Sequence, residues 1–403
     1  MDTTLFARQP IFDRHSKVFG YELLFRNQTG KAGLVTDSGD YESTQVLANA
    51  LLGPNNQWLS GKKAFINFTR NLLDQVPDFA KGTLVVEILE DVHTDPDLPL
   101  LISDLKRRGH IIALDDFKMV ENGDKLIQLA DIVKIDILED HDNLPELLDT
   151  LKSKNVQILA EKVETREQYR QYLDLGFDLF QGYFFAEPET IKSSPISSNQ
   201  KVAMDLLSAL YQDVDDWDEI VQLIEKDPTI SVKLLQLINS PFFRRQAEIS
   251  TIRQAVVAIG FHRLRSWASL LILSDLGTLP TEILRESLFH SEFCRLVAQE
   301  IGEDQDMAGT VGLFSNLDAF FNRALPELLS TLGLEQHVKE AILNFEGSLG
   351  EVLKTSIQYS RGDWEKLNFQ SLQAIGVDLD SLIKAYDAAL AETDNNMEEL
   401  VKA

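Results

Sequence analysis

The sequence predicts an α/β TIM-like barrel followed by an all-α domain, and three observations carry that expectation. Up to about residue 190, short apolar runs alternate with amphipathic stretches, as parallel strands alternate with crossover helices. Nearly every one of those runs ends in a polar side chain. Such groups meet at one point only at the C-terminal mouth of a closed barrel; along an open sheet they would be spread over an edge. Beyond residue 200 the strand signal stops, and apolar residues recur at three- and four-residue spacing.

The expected strands are Ala64–Phe68, Leu84–Leu89, Ile111–Leu114, Ile132–Ile137, Val156–Ala160 and Leu179–Phe185, with helices at Leu98–Lys106, Leu144–Lys152 and Arg166–Leu175. An apolar run around Glu22, in GYELLFR, precedes them. These elements define a first domain over residues 1–190. Residues 191–200 are small, polar and broken by Pro195, the composition of a linker. Helices are expected at Asp216–Glu225, Ile230–Ile238, Arg253–Ile259, Leu264–Leu273, Glu282–Ile301 and Val338–Phe345. They build a second domain over 201–390. Residues 391–403 form an acidic tail, expected to be a solvated face, although the helical pattern runs over Leu379–Leu400.

The chain has 403 residues, too many for one ordinary core. With 64 acidic against 38 basic residues it carries a formal charge of -26. That balance opposes a broad nucleic-acid surface, since phosphate binding needs a basic face. A small anionic ligand remains compatible, because bound cations invert the field of an acidic pocket. The only cysteine, Cys294, excludes a disulfide framework and fits a reducing cytoplasm. The N-terminus does not read as a secretory signal. No segment reaches the roughly 20 apolar residues that cross a bilayer, so a soluble cytoplasmic protein is expected.

The polar groups at the strand ends share one chemistry. Asp115 and Asp116 follow Ile111–Leu114; Glu22, Asn67, Glu87, Lys134, Glu161 and Gln181 occupy comparable places on other runs. Oxygen ligands suit Mg²⁺ or Mn²⁺. A two-metal phosphodiester site needs one carboxylate to bridge ions roughly 3.5–4 Å apart. Adjacent Asp115 and Asp116 can do so, with Glu22, Asn67 and Glu87 completing one ion's shell and Glu161 serving the other. Lys134 would orient the attacking hydroxide and neutralise charge on the phosphate, and Gln181 would hold a water. Each residue alone has a plainer reading, a capped turn for the aspartates and a surface position for the lysine; it is their convergence that argues for a site.

Read as motifs, these residues resemble the EAL family of cyclic di-GMP phosphodiesterases over roughly residues 4–188. The signature tripeptide appears as Glu22-Leu23-Leu24. INF carries Asn67, VVEILED carries Glu87, DDF is Asp115-Asp116-Phe117, and KID is Lys134-Ile135-Asp136. AEGVET appears as Ala160–Thr165 with Lys162 in place of glycine, and QGY is Gln181-Gly182-Tyr183. The resemblance implies hydrolysis of cyclic di-GMP to linear pGpG with Mg²⁺ or Mn²⁺, with Glu161, Lys134 and Gln181 as catalytic residues. It also implies substrate contacts from Gln9, Arg26 and Asp136, a loop anchored by Glu90, a homodimer through the barrel, and control of motility and biofilm. The loop after the aspartates departs from the family: it reads DDFKMVENGD, with Lys118 and Met119 where small residues are usual.

The second half resembles the HDOD domain over roughly residues 197–385, through EKDPTISVKLLQLINSPFF and ISTIRQAVVAIGFHRLRSW. In the related HD phosphohydrolases a His-Asp pair follows a Gly-Leu-Leu stretch. Here Gly312-Leu313-Phe314 leads to Ser315-Asn316, poor replacements for imidazole and carboxylate. The expectation is a non-catalytic module that binds a protein partner or regulates. His262 and His290 are expected as helix-surface or packing residues, Trp267 and Trp364 as core. The alternative reading is a catalytically silent receptor for the cyclic dinucleotide, or a scaffold; the altered loop favours it and the complete ligand set favours the enzyme.

Overall fold

The computed structural model describes residues 4–27, 59, 61–76, 82–93, 95–118, 123–139, 144–184, 198–211, 217–239, 249–276 and 281–402. The chain divides into two compact units, Met1–Glu187 with Tyr359–Lys366, and Pro188–Gln358 with Leu367–Ala403. Most of the expected linker and residues 240–243 of the NSPFF stretch lie outside the described residues.

The first unit is a closed barrel of β1 (Thr4–Asp13), β2 (Val18–Asn27), β3 (Lys63–Phe68), β4 (Leu84–Ile88), β5 (Ile111–Leu114), β6 (Ile132–Asp136), β7 (Gln157–Glu161) and β8 (Leu179–Gln181), hydrogen-bonded in sequence order. β1 runs antiparallel to both β2 and β8, and the remaining pairs are parallel. The all-parallel expectation therefore fails at one strand. The reason is local: Asp13 closes a tight turn, accepting from His15 N at 2.8 Å and Lys17 N at 2.9 Å, with Ser16 at φ 55°. A turn this short reverses the chain and leaves no room for a crossover helix.

Side chains alternate across a strand with period two, and this builds the interior in tiers. Ile11, Phe65, Val85, Ala113, Ile132, Leu159 and Leu179 form a buried apolar plug, one from each strand but β2. On β2 the corresponding residue is Gly20, where a Cβ would lie 2.8 Å from Lys63 O and 2.9 Å from the Phe65 ring. The Phe65 ring takes that space, so Gly20 is a packing requirement. Around the barrel lie α1 (Leu98–Arg107), α2 (Gly123–Leu129), α3 (Leu144–Ser153) and α4 (Arg166–Leu175). Thr165 and Gln168 cap α4 reciprocally, and Gly176 at φ 92° ends it.

The second unit is helical among its described residues. It begins with α5 (Ser198–Leu210), α6 (Trp217–Lys226), α7 (Pro228–Ile238), α8 (Ile252–Ile259) and α9 (Phe261–Ser274). It continues through α10 (Thr281–Ile301), α11 (Gln305–Phe314), α12 (Leu317–Phe321), α13 (Leu325–Thr331) and α14 (Gln336–Asn344). Gly347–Ser360 forms α15, whose last two residues group with the barrel unit; α16 (Phe369–Ala374) and α17 (Leu379–Lys402) close the chain. Trp267 is buried as expected, whereas Trp364 sits half-buried in a 3₁₀ turn, edge-on to Tyr359 at 5.1 Å between centroids. Residues 391–402 are the second half of α17 and bury Thr393, Asp394, Asn396 and Met397, so that stretch is not simply a solvated acidic face. No helix among the described residues is long and apolar enough to cross a membrane.

Candidate active site

One pleat repeat from the apolar plug, every strand presents a polar group toward the same mouth. Phe65 is followed by Asn67, Val85 by Glu87, Ala113 by Asp115, Ile132 by Lys134, Leu159 by Glu161 and Leu179 by Gln181. On β2 the step runs from Gly20 to Glu22. On antiparallel β1 it runs backwards, from Ile11 to Gln9, which pairs with Glu22 in register. A single period-two rule thus gathers the expected residues from all eight strands.

Lys134 holds the centre. Its Nζ lies 2.6 Å from Asp115 Oδ1, 2.8 Å from Glu87 Oε1, 3.0 Å from Glu161 Oε1 and 3.5 Å from Glu22 Oε2. Gln181 Nε2 donates to Glu22 Oε2 at 2.6 Å and to Gln9 Oε1 at 2.9 Å; Asn67 Nδ2 donates to Glu22 Oε1 at 3.3 Å. Burial opposes the charge on Lys134, but Asp115 and the other carboxylates outweigh it and hold the ammonium well above its ordinary range. Burial first, then Glu22, raises Glu87 well above the usual carboxylate range. Burial likewise lifts Glu161 to about 8, against the opposing pull of Lys134.

The turns between strands and helices fix the flanking groups. Asp115 N donates to Ile88 O at 3.0 Å and Phe117 N to Lys134 O at 3.1 Å, so β5 is held on both sides as the strand ends. Between them Asp116 takes the left-handed region at φ 40°, half-buried, its carboxyl raised by burial and then by Asp115. Phe117 is fully buried against His93, whose Nε2 lies 3.0 Å from Ile88 O. Gly182, at φ 140°, passes so close to Val163 that a Cβ would sit 2.0 Å from its carbonyl oxygen. That approach lets Val163 N donate to Gln181 O at 2.9 Å, pinning Gln181.

Asp136 lies one further pleat along β6, in register with Glu161, and accepts from Leu138 N at 2.8 Å. Glu90 starts a 3₁₀ turn after β4 and is exposed; residues 119–122 of the loop it was expected to anchor lie outside the described residues. Lys118 pairs with Glu139 at 2.7 Å. Arg26 lies on β2 opposite Leu5, its side chain outside the described residues. Lys162, a residue with no expected role, stands at φ 58° with its ammonium on Asp136. Its one signal was a lysine in a motif position usually held by glycine.

The donor set fits hard divalent cations. Neither oxygen of fully buried Glu87, nor Gln181 Oε1, receives a well-directed hydrogen bond among the described residues. Buried oxygens in that condition call for a cation or a water. Asn67 and the carboxylates around them are oxygen ligands of the kind Mg²⁺ and Mn²⁺ select. Lys134 supplies the counter-charge where Asp115, Glu87 and Glu161 converge, and no group of three His, Cys, Asp or Glu among the described residues is otherwise arranged to hold a metal ion.

In the helical unit, Ser315 Oγ turns back onto Gly312 O at 2.8 Å, and Asn316 Nδ2 reaches Ser287 Oγ at 3.5 Å. His290, expected on a helix surface or in packing, is buried, with Nδ1 2.7 Å from Ser356 Oγ.

A barrel with a carboxylate-rich mouth followed in the chain by a helical unit defines a class, and the comparisons agree with it. An EAL domain model matches residues 52–188 and an HDOD domain model matches residues 196–358. Uncharacterized protein YuxH of Bacillus subtilis is 33% identical over 373 residues, 89% of this chain and 91% of its own length. Cyclic di-GMP phosphodiesterase CdgJ of Vibrio cholerae is 32% identical over 393 residues, 95% of this chain and 90% of its own. The chain belongs to the family of proteins that join an EAL domain to an HDOD domain. Among solved structures, BlrP1 of Klebsiella pneumoniae, a manganese/cyclic di-GMP complex, aligns at a TM-score of 0.38 and 22% identity, over 46% of this chain and 58% of that one. An EAL domain protein of Listeria monocytogenes aligns at a TM-score of 0.35 and 23% identity, over 45% and 87%.

Proposed function

We propose that this protein is a cytoplasmic phosphodiesterase that hydrolyses cyclic di-GMP to linear pGpG at the barrel mouth. The observation that carries the proposal is the ring of carboxylates around Lys134, in which Glu87 Oε2 is buried without a partner among the described residues. Glu22, Asn67, Glu87 and Asp115 are the residues to hold one Mg²⁺ or Mn²⁺, and Asp115, Asp116 and Glu161 the residues to hold a second. Such ions, when bound, polarise the phosphate and lower the pKa of an attacking water. Glu161, whose carboxylate lies 3.0 Å from Lys134 Nζ, is the candidate to accept the proton of that water. Lys134 neutralises charge developing on the phosphate, and Gln181 orients the water. Gln9, bonded to Gln181, extends the polar wall toward the substrate, and Arg26 and Asp136 are the further candidate substrate contacts. Burial of Lys134 and Glu87 keeps the reacting groups in a low-dielectric setting where each charge counts for more.

The name of the CdgJ relative supports the substrate, at an identity of 32%. Control of motility and biofilm through the second messenger, a homodimer formed by the barrel, and a protein partner for the HDOD module complete the proposal. The test is to incubate purified protein with cyclic di-GMP and Mn²⁺ and to follow the linear product by chromatography. Turnover that disappears in a Glu22→Ala variant is expected; binding of the nucleotide without turnover would replace the enzyme with a receptor.

A further inference from the structure

The site has a second lysine, and its position is not accounted for by the reaction proposed above. Lys162 follows β7 directly and adopts φ 58°, a region that side-chain-bearing residues other than Asn and Asp rarely enter. The local fold imposes this conformation. Val163 must turn inward to reach the β8 end, donating to Gln181 O at 2.9 Å and accepting from Phe184 N at 3.2 Å. Two residues later Thr165 caps α4. The chain therefore reverses at Lys162, and its side chain returns over the mouth to pair with Asp136. Asp136 is 6% exposed in this pair, while the lysine side chain is 56% exposed.

The cationic charge of the mouth is thus divided. Lys134 lies among Glu22, Glu87, Asp115 and Glu161, and Lys162 pairs with Asp136 on the other side, where its charge also acts on Asp116 and Glu161. These two groups differ in mobility. Lys134 is enclosed, whereas the exposed stem of Lys162 can withdraw into solvent at the cost of one ion pair.

We propose that Lys162 is a tethered counter-cation for the Asp116–Asp136 side of the mouth, competing there with a divalent ion, so that the two ions load unequally. A cation entering between Asp115, Asp116 and Glu161 must tolerate the ammonium held on Asp136, whose charge already acts on Asp116 and Glu161. A cation entering between Glu22, Asn67, Glu87 and Asp115 faces a different counter-cation, the enclosed Lys134, whose Nζ lies 2.6 Å from Asp115 Oδ1 and 2.8 Å from Glu87 Oε1. Lys162 is a positioning residue in this account and sets the metal dependence of the site. The inference rests on the metal-binding part of the proposed function and not on turnover.

The experiment is a Mn²⁺ binding isotherm at fixed ionic strength, reading free Mn²⁺ by electron paramagnetic resonance. Wild type is compared with Lys162→Asn, neutral and tolerant of positive φ, and with Lys162→Arg, which keeps the charge. The expected result is two unequal sites in wild type and in Lys162→Arg, with Lys162→Asn tightening the weaker site about tenfold and leaving the tighter one unchanged. A weaker site that Lys162→Asn leaves unchanged or loosens overturns the inference. Absence of Mn²⁺ binding in wild type overturns both this inference and the metal-dependent function. The Lys162→Asn shift without hydrolysis of cyclic di-GMP supports the inference and overturns only the enzyme.

Discussion

Lys134 is the residue on which the site's energetics turn. A buried ammonium within 3.5 Å of four carboxylates is stable because each charge lacks any alternative partner of comparable strength. Removing it leaves buried anions uncompensated, a change that costs about 3–5 kcal/mol. Lys134→Met should therefore lower the melting temperature of the chelated protein sharply, and Mn²⁺ should recover part of the loss by supplying the missing positive charge. Thermal melts with and without EDTA check this; an unchanged melting temperature in EDTA would mean that the carboxylates do not need the lysine. In wild type, Mn²⁺ should raise the melting temperature, and Glu22→Ala should reduce the shift. The same physics explains what was readable at this scale. Glu22, Asn67, Glu87, Asp115, Lys134, Glu161 and Gln181 were legible because each breaks an apolar run in a strand. The pairing of Lys162 with Asp136 was not legible, since neither residue's spacing predicts a backbone reversal between β7 and α4.

At the scale of elements, the strands of the parallel part were legible from apolar runs, while β1 and β2 were not resolved as a hairpin. TLFARQPIFD contains an arginine, a glutamine and a proline, which weaken the apolar signal, and the turn carries no Asn-Gly or Asp-Gly pair. In the helical half, α11 and α12 were not legible because buried helices are apolar on several faces and lose the amphipathic period. Two predictions belong here. Gly182→Ala places a methyl group 2.0 Å from the Val163 carbonyl oxygen, so the β8 end must shift and Gln181 with it. Hydrolysis should fall by at least about tenfold with the barrel still folded, read by turnover beside circular dichroism; unaltered turnover would show that Gln181 needs no such pin. The second concerns α10 and α17, where Arg285 pairs with Asp394 and where burial, then Glu292, raises Glu392 to about 7. A raised carboxyl binds its proton more tightly in the folded state, so this group's contribution to stability falls as pH rises from about 4.5 to about 7. Glu392→Gln should accordingly gain on wild type in melting temperature between pH 5 and pH 8, and a constant difference across that range would refute the assignment.

For the whole molecule, the proposed chemistry is assigned to the barrel alone. The barrel brings carboxylates from its strands to one mouth, whereas in the helical unit Ser315 Oγ turns back onto Gly312 O and Asn316 Nδ2 reaches Ser287 Oγ. Glu22→Ala in the full chain should abolish metal-dependent hydrolysis altogether; residual Mn²⁺-dependent activity would assign chemistry to the HDOD module. The central claim, that water directed by the barrel mouth opens the cyclic dinucleotide, is tested most directly by turnover in ¹⁸O-water. The account predicts linear pGpG carrying one ¹⁸O on its terminal phosphate, formed only with Mg²⁺ or Mn²⁺ present. Nucleotide bound and recovered intact and unlabelled would contradict it.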